Sequence, residues 1–346
     1  MKKVFIALLY VSALVACSRL EVTPIEDSKA AITYQTAPIT KAHAEFAHSY
    51  VFESAAYYLP PSNPSKSWLN YGESSVLYVS PDVVSYTNGV WQMKEPHYWP
   101  KDGGTLTFFS WSLNKSNLNF NTGSNASVEI KKEFGVCLSN FDITVDKGID
   151  FIVADITADQ TTNQDRKYYT VGVPTLFRHK LSSLIFTAET DKDYSASERF
   201  LIKSITITNL AKTGEYQQGE VNKTTDPWRW TTVDKWTVNG TYDVVYYNNT
   251  TGLEVTNTLQ NIKGEQYYYI PQTFDGTEEI EVHYQILDIN SNVTEDVTIK
   301  IPIKDVIETT FKVGTIYTIN LRFHLDEIIW DPAVEDWFST ANEINI

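Results

Sequence analysis

The chain has 346 residues, with 28 Lys and Arg against 43 Asp and Glu and a formal net charge of −15. That balance argues against nucleic acid as a partner, because phosphate binding needs clustered cations. It suits a soluble, exposed surface, and 21 Tyr, 16 Phe and 9 Trp supply large side chains for a core or for a binding face.

Lys2 and Lys3 precede an apolar run from Val4 to Ala16. A bilayer core needs about 20 such residues, so the run has the form of a secretory signal peptide, residues 1–16. It ends Leu14-Val15-Ala16-Cys17. Small residues before a Cys resemble the lipobox of bacterial lipoproteins. That resemblance implies lipidation of the Cys17 thiol with diacylglycerol and an acylated (palmitate-type) N-terminus. Ser18 in place of Asp implies outer-membrane sorting. Each buried CH₂ adds about 0.8 kcal/mol, so several acyl chains anchor firmly. An ordinary export signal with an incidental Cys is the alternative. Loss of residues 1–16 removes two lysines and makes the chain more acidic. Lipidation leaves Cys137 alone, without an internal disulfide partner, and stability then rests on core packing. The length suffices for two domains.

Residues 17–48 read as a lipidated N-terminal segment. It contains a short strand, "AAITYQ", with Ile32 and Tyr34 inward, ended by Pro38. "YYLPPSNPSKSW" is loop. Strand patterns follow at 74–80 and at 105–113, the second after the turn signal Asp102-Gly103-Gly104. In "TLTFFSWSL" Leu106 and Phe108 share one face, and Phe109, Trp111 and Leu113 the other. Both faces are apolar, which predicts burial on both sides or a bulge. Tyr98 and Trp99, held between prolines, form a rigid lead into this strand. Residues 141–156 offer two runs around Asp146-Lys147-Gly148. The polar stretch 157–167 is the candidate connection between an N-terminal domain (49–160) and a C-terminal domain (168–346).

The second half alternates more cleanly. Ile280, Val282, Tyr284 and Ile286 oppose Glu279, Glu281, His283 and Gln285. Val297, Ile299, Ile301 and Ile303 oppose Thr298, Lys300, Pro302 and Lys304. Tyr317, Ile319, Leu321, Phe323 and Leu325 oppose Thr318, Asn320, Arg322 and His324. Period two over these lengths means half-buried strands. Pro302 lacks a donor and places its strand at an edge or turns residue 302 outward. No long run has helical spacing. The fold class is therefore all-β, built as antiparallel sandwiches.

Chemistry is hard to find. The six His (43, 48, 97, 179, 283 and 324) show no metal-ligand spacing. His283 and His324 read as exposed surface. Asp142, Asp146 and Asp150 vaguely resemble a calcium loop, but Lys147 stands where the loop's Gly belongs, and a turn is the better reading. No catalytic residue set, metal site or cofactor motif is present. Trp228, Trp230 and Trp236 fall on one period-two face and are candidate glycan contacts, with core packing as the alternative.

Several segments in order resemble the fimbrillins (type V pilins) and their fimbrillin-like lipoprotein relatives. They are the lipobox at Cys17, "ITYQTAPITKA" (32–42), "HYWPKDGGTLTFFSW" (97–111), "DFIVADIT" (150–157), "VPTLFRHKLSSLIFTAE" (173–189), "YYYIPQ" (267–272), "VGTIYTINLRFHLDEI" and the terminal "VEDWFSTANEINI". The resemblance implies two tandem transthyretin-like antiparallel β-sandwich domains and a structural, non-enzymatic role. It implies a lipid-anchored outer-membrane precursor at the cell surface, trimmed by a protease that removes the first strand. Other pilin subunits would then fill the groove by β-strand addition, and the fimbrium would meet a host or microbial surface ligand. Family members are cut after Arg. The Arg near this N-terminus, Arg19, lies too close to the lipid to release a strand, so Lys41 or Lys29 would have to serve. The removable strand would carry Ile32 and Tyr34, and the donor strand Ile344 and Ile346. The alternative is a non-polymerising outer-membrane lipoprotein that binds glycan.

Overall fold

A computed structural model describes residues 30–36, 46–61, 68, 75–114, 116–132, 134–161, 172–223, 229–265, 268–325 and 327–336. In the first half the strands are β1 (Tyr34–Gln35), β2 (Val51–Leu59), β3 (Val76–Thr87), β4 (Val90–Met93), β5 (Thr105–Ser112), β6 (Ser127–Lys131), β7 (Gly135–Asp142), β8 (Ile152–Ala154) and β9 (Ile156–Gln160). After them come β10 (Val173–Pro174), β11 (Phe177–His179), β12 (Ser182–Thr190), β13 (Glu198–Lys223), β14 (Arg229–Val255), β15 (Gln260–Ile262) and β16 (Tyr268–Tyr269). The last are β17 (Glu279–Asp288), β18 (Val293–Pro302), the one-turn helix α1 (Ile303–Val306), β19 (Thr315–Phe323) and β20 (Ile328–Asp336). The architecture is all-β.

The first core is enclosed by one curled run of strands in the order β10-β1-β4-β3-β2-β5, continued from β5 by β8 and then β11. The run starts and ends on the same short segment, 173–179, so the sheet closes around its own contents. Inside lie Ile32, Tyr34, Phe46, Phe52, Val84, Trp91, Leu106, Phe108, Val173 and Phe177. Val173 and Phe177 lie beyond the polar stretch 157–167, yet they pack in this first core. Residues 157–160 of that stretch lie in β9, which pairs with β5 and β14.

β5 explains its doubly apolar pattern. Leu106 and Phe108 face the first core, while Phe109, Trp111 and Leu113 face a second. The second core is continuous from Trp68 through Phe151 and Tyr216 to Phe323 and Ile328. The long hairpin β13–β14 joins the halves. Residues 198–207 of β13 pair with β17, and residues 213–217 pair with β7.

A five-stranded sheet, β15-β12-β19-β20 with β16 also on β12, covers the second core from the other side. Phe186 meets Tyr246 at 4.8 Å between ring centroids, and Phe323 meets Phe200 at 5.7 Å and Tyr284 at 5.3 Å. The sheets are not purely antiparallel: β12 runs parallel to β19, and β1 runs parallel to β10. Both pairs are non-local, so a crossover rather than a hairpin sets their direction.

The alternations in β17 and β19 hold, with Ile280, Val282, Tyr284, Ile286, Tyr317, Ile319, Leu321 and Phe323 buried. β18 is an edge strand and ends on Pro302. Two readings need correction. β19 stops at Phe323, so Leu325 is 39% exposed rather than on the apolar face. His283 and His324 are only partly exposed, and each meets a carboxylate, Asp296 at 2.6 Å and Asp191 at 3.3 Å. Residues 142–150 form a turn. Asp142 accepts from the Thr144 N–H and hydroxyl, and Asp146 accepts from Ser124.

Candidate strand-insertion site

Residues 30–36 lie between β4 and β10 and bond to both sides. Tyr34 pairs with Trp91 on one flank and with Val173 on the other. The Ile32 N–H donates to the His97 carbonyl at 2.7 Å, and the Trp99 N–H donates to the Ala30 carbonyl at 3.2 Å. Opposite, the Val173 and Thr175 N–H groups donate to the Thr33 and Gln35 carbonyls at 2.7 and 2.8 Å. The segment behaves as an interior strand although it stands at the N-terminal end of the described chain.

Its side chains anchor it. Ile32 is 4% and Tyr34 2% exposed. The Tyr34 ring contacts Phe52 and Phe108 edge-on at 5.6 and 5.9 Å. Burial pushes its phenol well above the usual tyrosine range. Fully burying one such side chain stabilises by roughly 1.5–3 kcal/mol. A main-chain bond contributes a net of about 0.5–1.5 kcal/mol. The two anchors and the paired edges therefore contribute on a similar scale, and neither alone holds the strand. The chain also leaves room for it: Gly172 sits at φ +108°, where a Cβ would stand 2.6 Å from the Tyr34 carbonyl carbon.

Immediately after Phe177, which packs in the first core, comes the segment Arg178-His179-Lys180. Each of these basic side chains meets a different acid. Arg178 makes a two-pronged pair with Asp155 at 2.7 and 3.1 Å. His179 meets Asp150 at 3.0 Å, both buried. Lys180 meets Asp234 on β14 at 2.9 Å, and Tyr216 donates to the same carboxylate at 2.5 Å. Burial, followed by the Asp234 and Asp155 charges, raises the Tyr216 phenol well above its ordinary value. Sequence reasoning missed this cluster. The signal available was three consecutive basic residues inside the apolar run "LFRHKLSSLIF", which need buried polar partners once the run is packed.

Of the residues singled out in the sequence, Ile32 and Tyr34 lie in the inserted strand. Trp236 packs in part against the second core. Its ring lies 5.5 Å from Tyr216, and its indole N–H donates to the Lys180 carbonyl at 2.8 Å. Trp230 stands in β14 opposite Lys223 and Ile156. Cys17, Lys29, Lys41, Trp228, Ile344 and Ile346 lie outside the described residues. Among the described residues no cluster of three His, Cys, Asp or Glu could hold a metal ion.

A closed β core whose interior position is filled by a segment from the chain's own N-terminal end defines a strand-complemented β protein. The chain belongs to the fimbrillin-like family, whose match spans residues 68–337. No curated protein matches the sequence. Among solved structures, a fimbrial protein from Bacteroides vulgatus is similar at 16% identity over 83% of this chain and 92% of its own, with a TM-score of 0.52. A candidate cell adhesion protein from Bacteroides uniformis is similar at 13% identity over 89% of this chain and 98% of its own, with a TM-score of 0.48. The tip fimbrial protein Mfa3 from Porphyromonas gingivalis is similar at 11% identity over 86% of this chain and 97% of its own, with a TM-score of 0.35. At 16% identity the first of these shows a shared fold.

Proposed function

We propose that the chain is a cell-surface pilus subunit or pilus accessory that assembles by β-strand addition, with a structural and adhesive role. In this reading Cys17 carries the lipid that holds the precursor at the outer membrane. The observation that carries the proposal is segment 30–36, bonded on both edges and plugged into the first core by Ile32 and Tyr34. Its removal would leave the edges of β4 and β10 unpaired and Phe52 and Phe108 open to water. Unpaired edges over an open core are a template for another strand. Cleavage after Lys41 would release the segment, whereas cleavage after Lys29 would leave it in place. The C-terminal segment of a second copy, with Ile344 and Ile346 as anchors, would then occupy the slot. Membership of the fimbrillin-like family supports the same reading.

The test is limited digestion of the purified chain with a Lys-specific protease, followed by electrophoresis without boiling. A ladder of multimers is expected, and it should vanish in an Ile344→Asp, Ile346→Asp double variant. A ladder that persists in that variant removes the donor-strand assignment. Sequencing the N-terminus of the protein taken from cells separates an acylated Cys17 from a free end near residue 42.

A further inference from the structure

The loop that bonds to the inserted strand also lines an open cavity of about 390 Å³. Its walls include Tyr78 from β3 and His97, Tyr98, Trp99 and Lys101 from the lead into β5. Tyr78 and Tyr98 are 39% and 37% exposed. Single exposed aromatics need no explanation, but two beside a cavity do. The volume falls in the range of small-ligand sites, roughly 300–1,000 Å³.

The cavity is firmly built. Pro96 and Pro100 flank the loop and restrict its backbone. Trp99 leans edge-on against Phe108 in the first core at 5.6 Å. The Tyr78 hydroxyl donates to the Tyr98 carbonyl at 2.8 Å. Behind Tyr78 the Tyr58 ring lies 5.9 Å away, and its hydroxyl bonds to Asp102. The bonds from Ile32 to His97 and from Trp99 to Ala30 zip the loop to the inserted strand. The aromatic surface is thus held in place before any ligand arrives, which lowers the ordering cost of binding.

The lining selects among ligands. An acyl chain needs an enclosed apolar cavity, and this one is open and mixed. A phosphate-rich ligand needs several cations, and Lys101 is the one cation among the lining residues. What the walls offer is aromatic surface bordered by phenol, imidazole and ammonium groups. That matches a ligand with one apolar face and a hydroxylated edge. We propose that this cavity is a saccharide-binding site, in which Tyr78 and Tyr98 stack against the C–H face of a sugar ring and His97 and Lys101 bond its hydroxyls. The larger cleft of about 520 Å³, lined by Asn140, Asp142, Thr213, Glu215 and Asn239 among others, has no aromatic wall and is the weaker match. The assignment needs only the chain's own strand in its slot, so it stands apart from polymerisation.

The full chain is applied to an array of host and microbial glycans, and each hit is titrated as free oligosaccharide by calorimetry. The expected result is selective binding that falls at least about tenfold in Tyr98→Ala and in Tyr78→Ala, with the thermal midpoint unchanged in Tyr98→Ala and lowered in Tyr78→Ala, which also loses the bond to the Tyr98 carbonyl. Three results overturn the site. One is no glycan bound. Another is binding that survives both Tyr variants but is lost in Trp230→Ala. The third is capture of a proline-rich peptide panel instead of sugars, lost in Tyr98→Ala. Laddering after protease treatment is scored on the same preparations. A chain that polymerises without binding sugar refutes this site alone. One that binds sugar without polymerising refutes the pilus reading alone.

Discussion

Lys180 and Asp234 carry opposite charges with side chains only 3% and 13% exposed. Their attraction has to offset a desolvation cost of several kcal/mol per ion, and Tyr216 helps by donating to the carboxylate. Removing one partner leaves the other charged and buried. Lys180→Met is therefore expected to destabilise by about 3–5 kcal/mol, read as a loss of denaturation midpoint. Lys180→Met with Asp234→Leu should recover most of that loss, and failure to recover would mean that packing, not charge, dominates the site. The buried phenols Tyr34 and Tyr216 set an alkaline limit. Burial raises both above the ordinary value near 10, so the folded chain keeps them neutral. Their contribution is complete below about pH 10 and declines above it, because the unfolded chain ionises first, at about 1.4 kcal/mol per pH unit for each group. Equilibrium unfolding followed from pH 9 to 11.5 should steepen above 10, and Tyr216→Phe should flatten that slope.

Among the elements, β5 separates the two cores, and its neighbouring residues act on different sides. Phe108 touches Tyr34 and Trp99, while Phe109 touches Trp68 and Tyr57. Truncating a buried Phe to Ala costs about 3–5 kcal/mol, so global stability should fall similarly for Phe108→Ala and Phe109→Ala. Local effects should differ. Amide exchange at residues 32–35 should rise in Phe108→Ala and stay low in Phe109→Ala, and equal rises would contradict the placement of the strand in the first core alone. Period two over "TLTFFSW" reads directly as a strand with two apolar faces. What each face touches is not readable, because its partners are β2, β8, β9 and the distant segment 173–179. The edge position of β18 was legible from Pro302, since a missing N–H is a local property.

Across the whole molecule the second core draws on both halves of the chain. Phe109, Trp111, Val136 and Phe151 share it with Tyr216, Tyr246 and Phe323. The β13–β14 hairpin carries backbone pairing across the same boundary. A chain so joined is expected to unfold as one cooperative unit, with a single calorimetric transition whose enthalpy matches the van't Hoff value. Two separate transitions would instead favour independent domains on either side of 157–167. Alternation, turn signals and the scarcity of helical spacing were enough to read all-β strands and most of their inward faces, because side-chain direction in a strand follows from residue parity. The same parity marks Ile32 and Tyr34 as an inward pair. It does not reveal that they fill an interior slot, that β12 lies parallel to β19, or that Arg178, His179 and Lys180 each find a separate acid. Those depend on distant partners: Tyr34 meets Val173, 139 residues away, in the β1–β10 register, and Thr190 meets Phe323, 133 residues away, in the β12–β19 register. Local sequence sets where a strand runs and which side chains share a face, whereas non-local pairing in the folded sheet sets its neighbours and relative direction, and so its role.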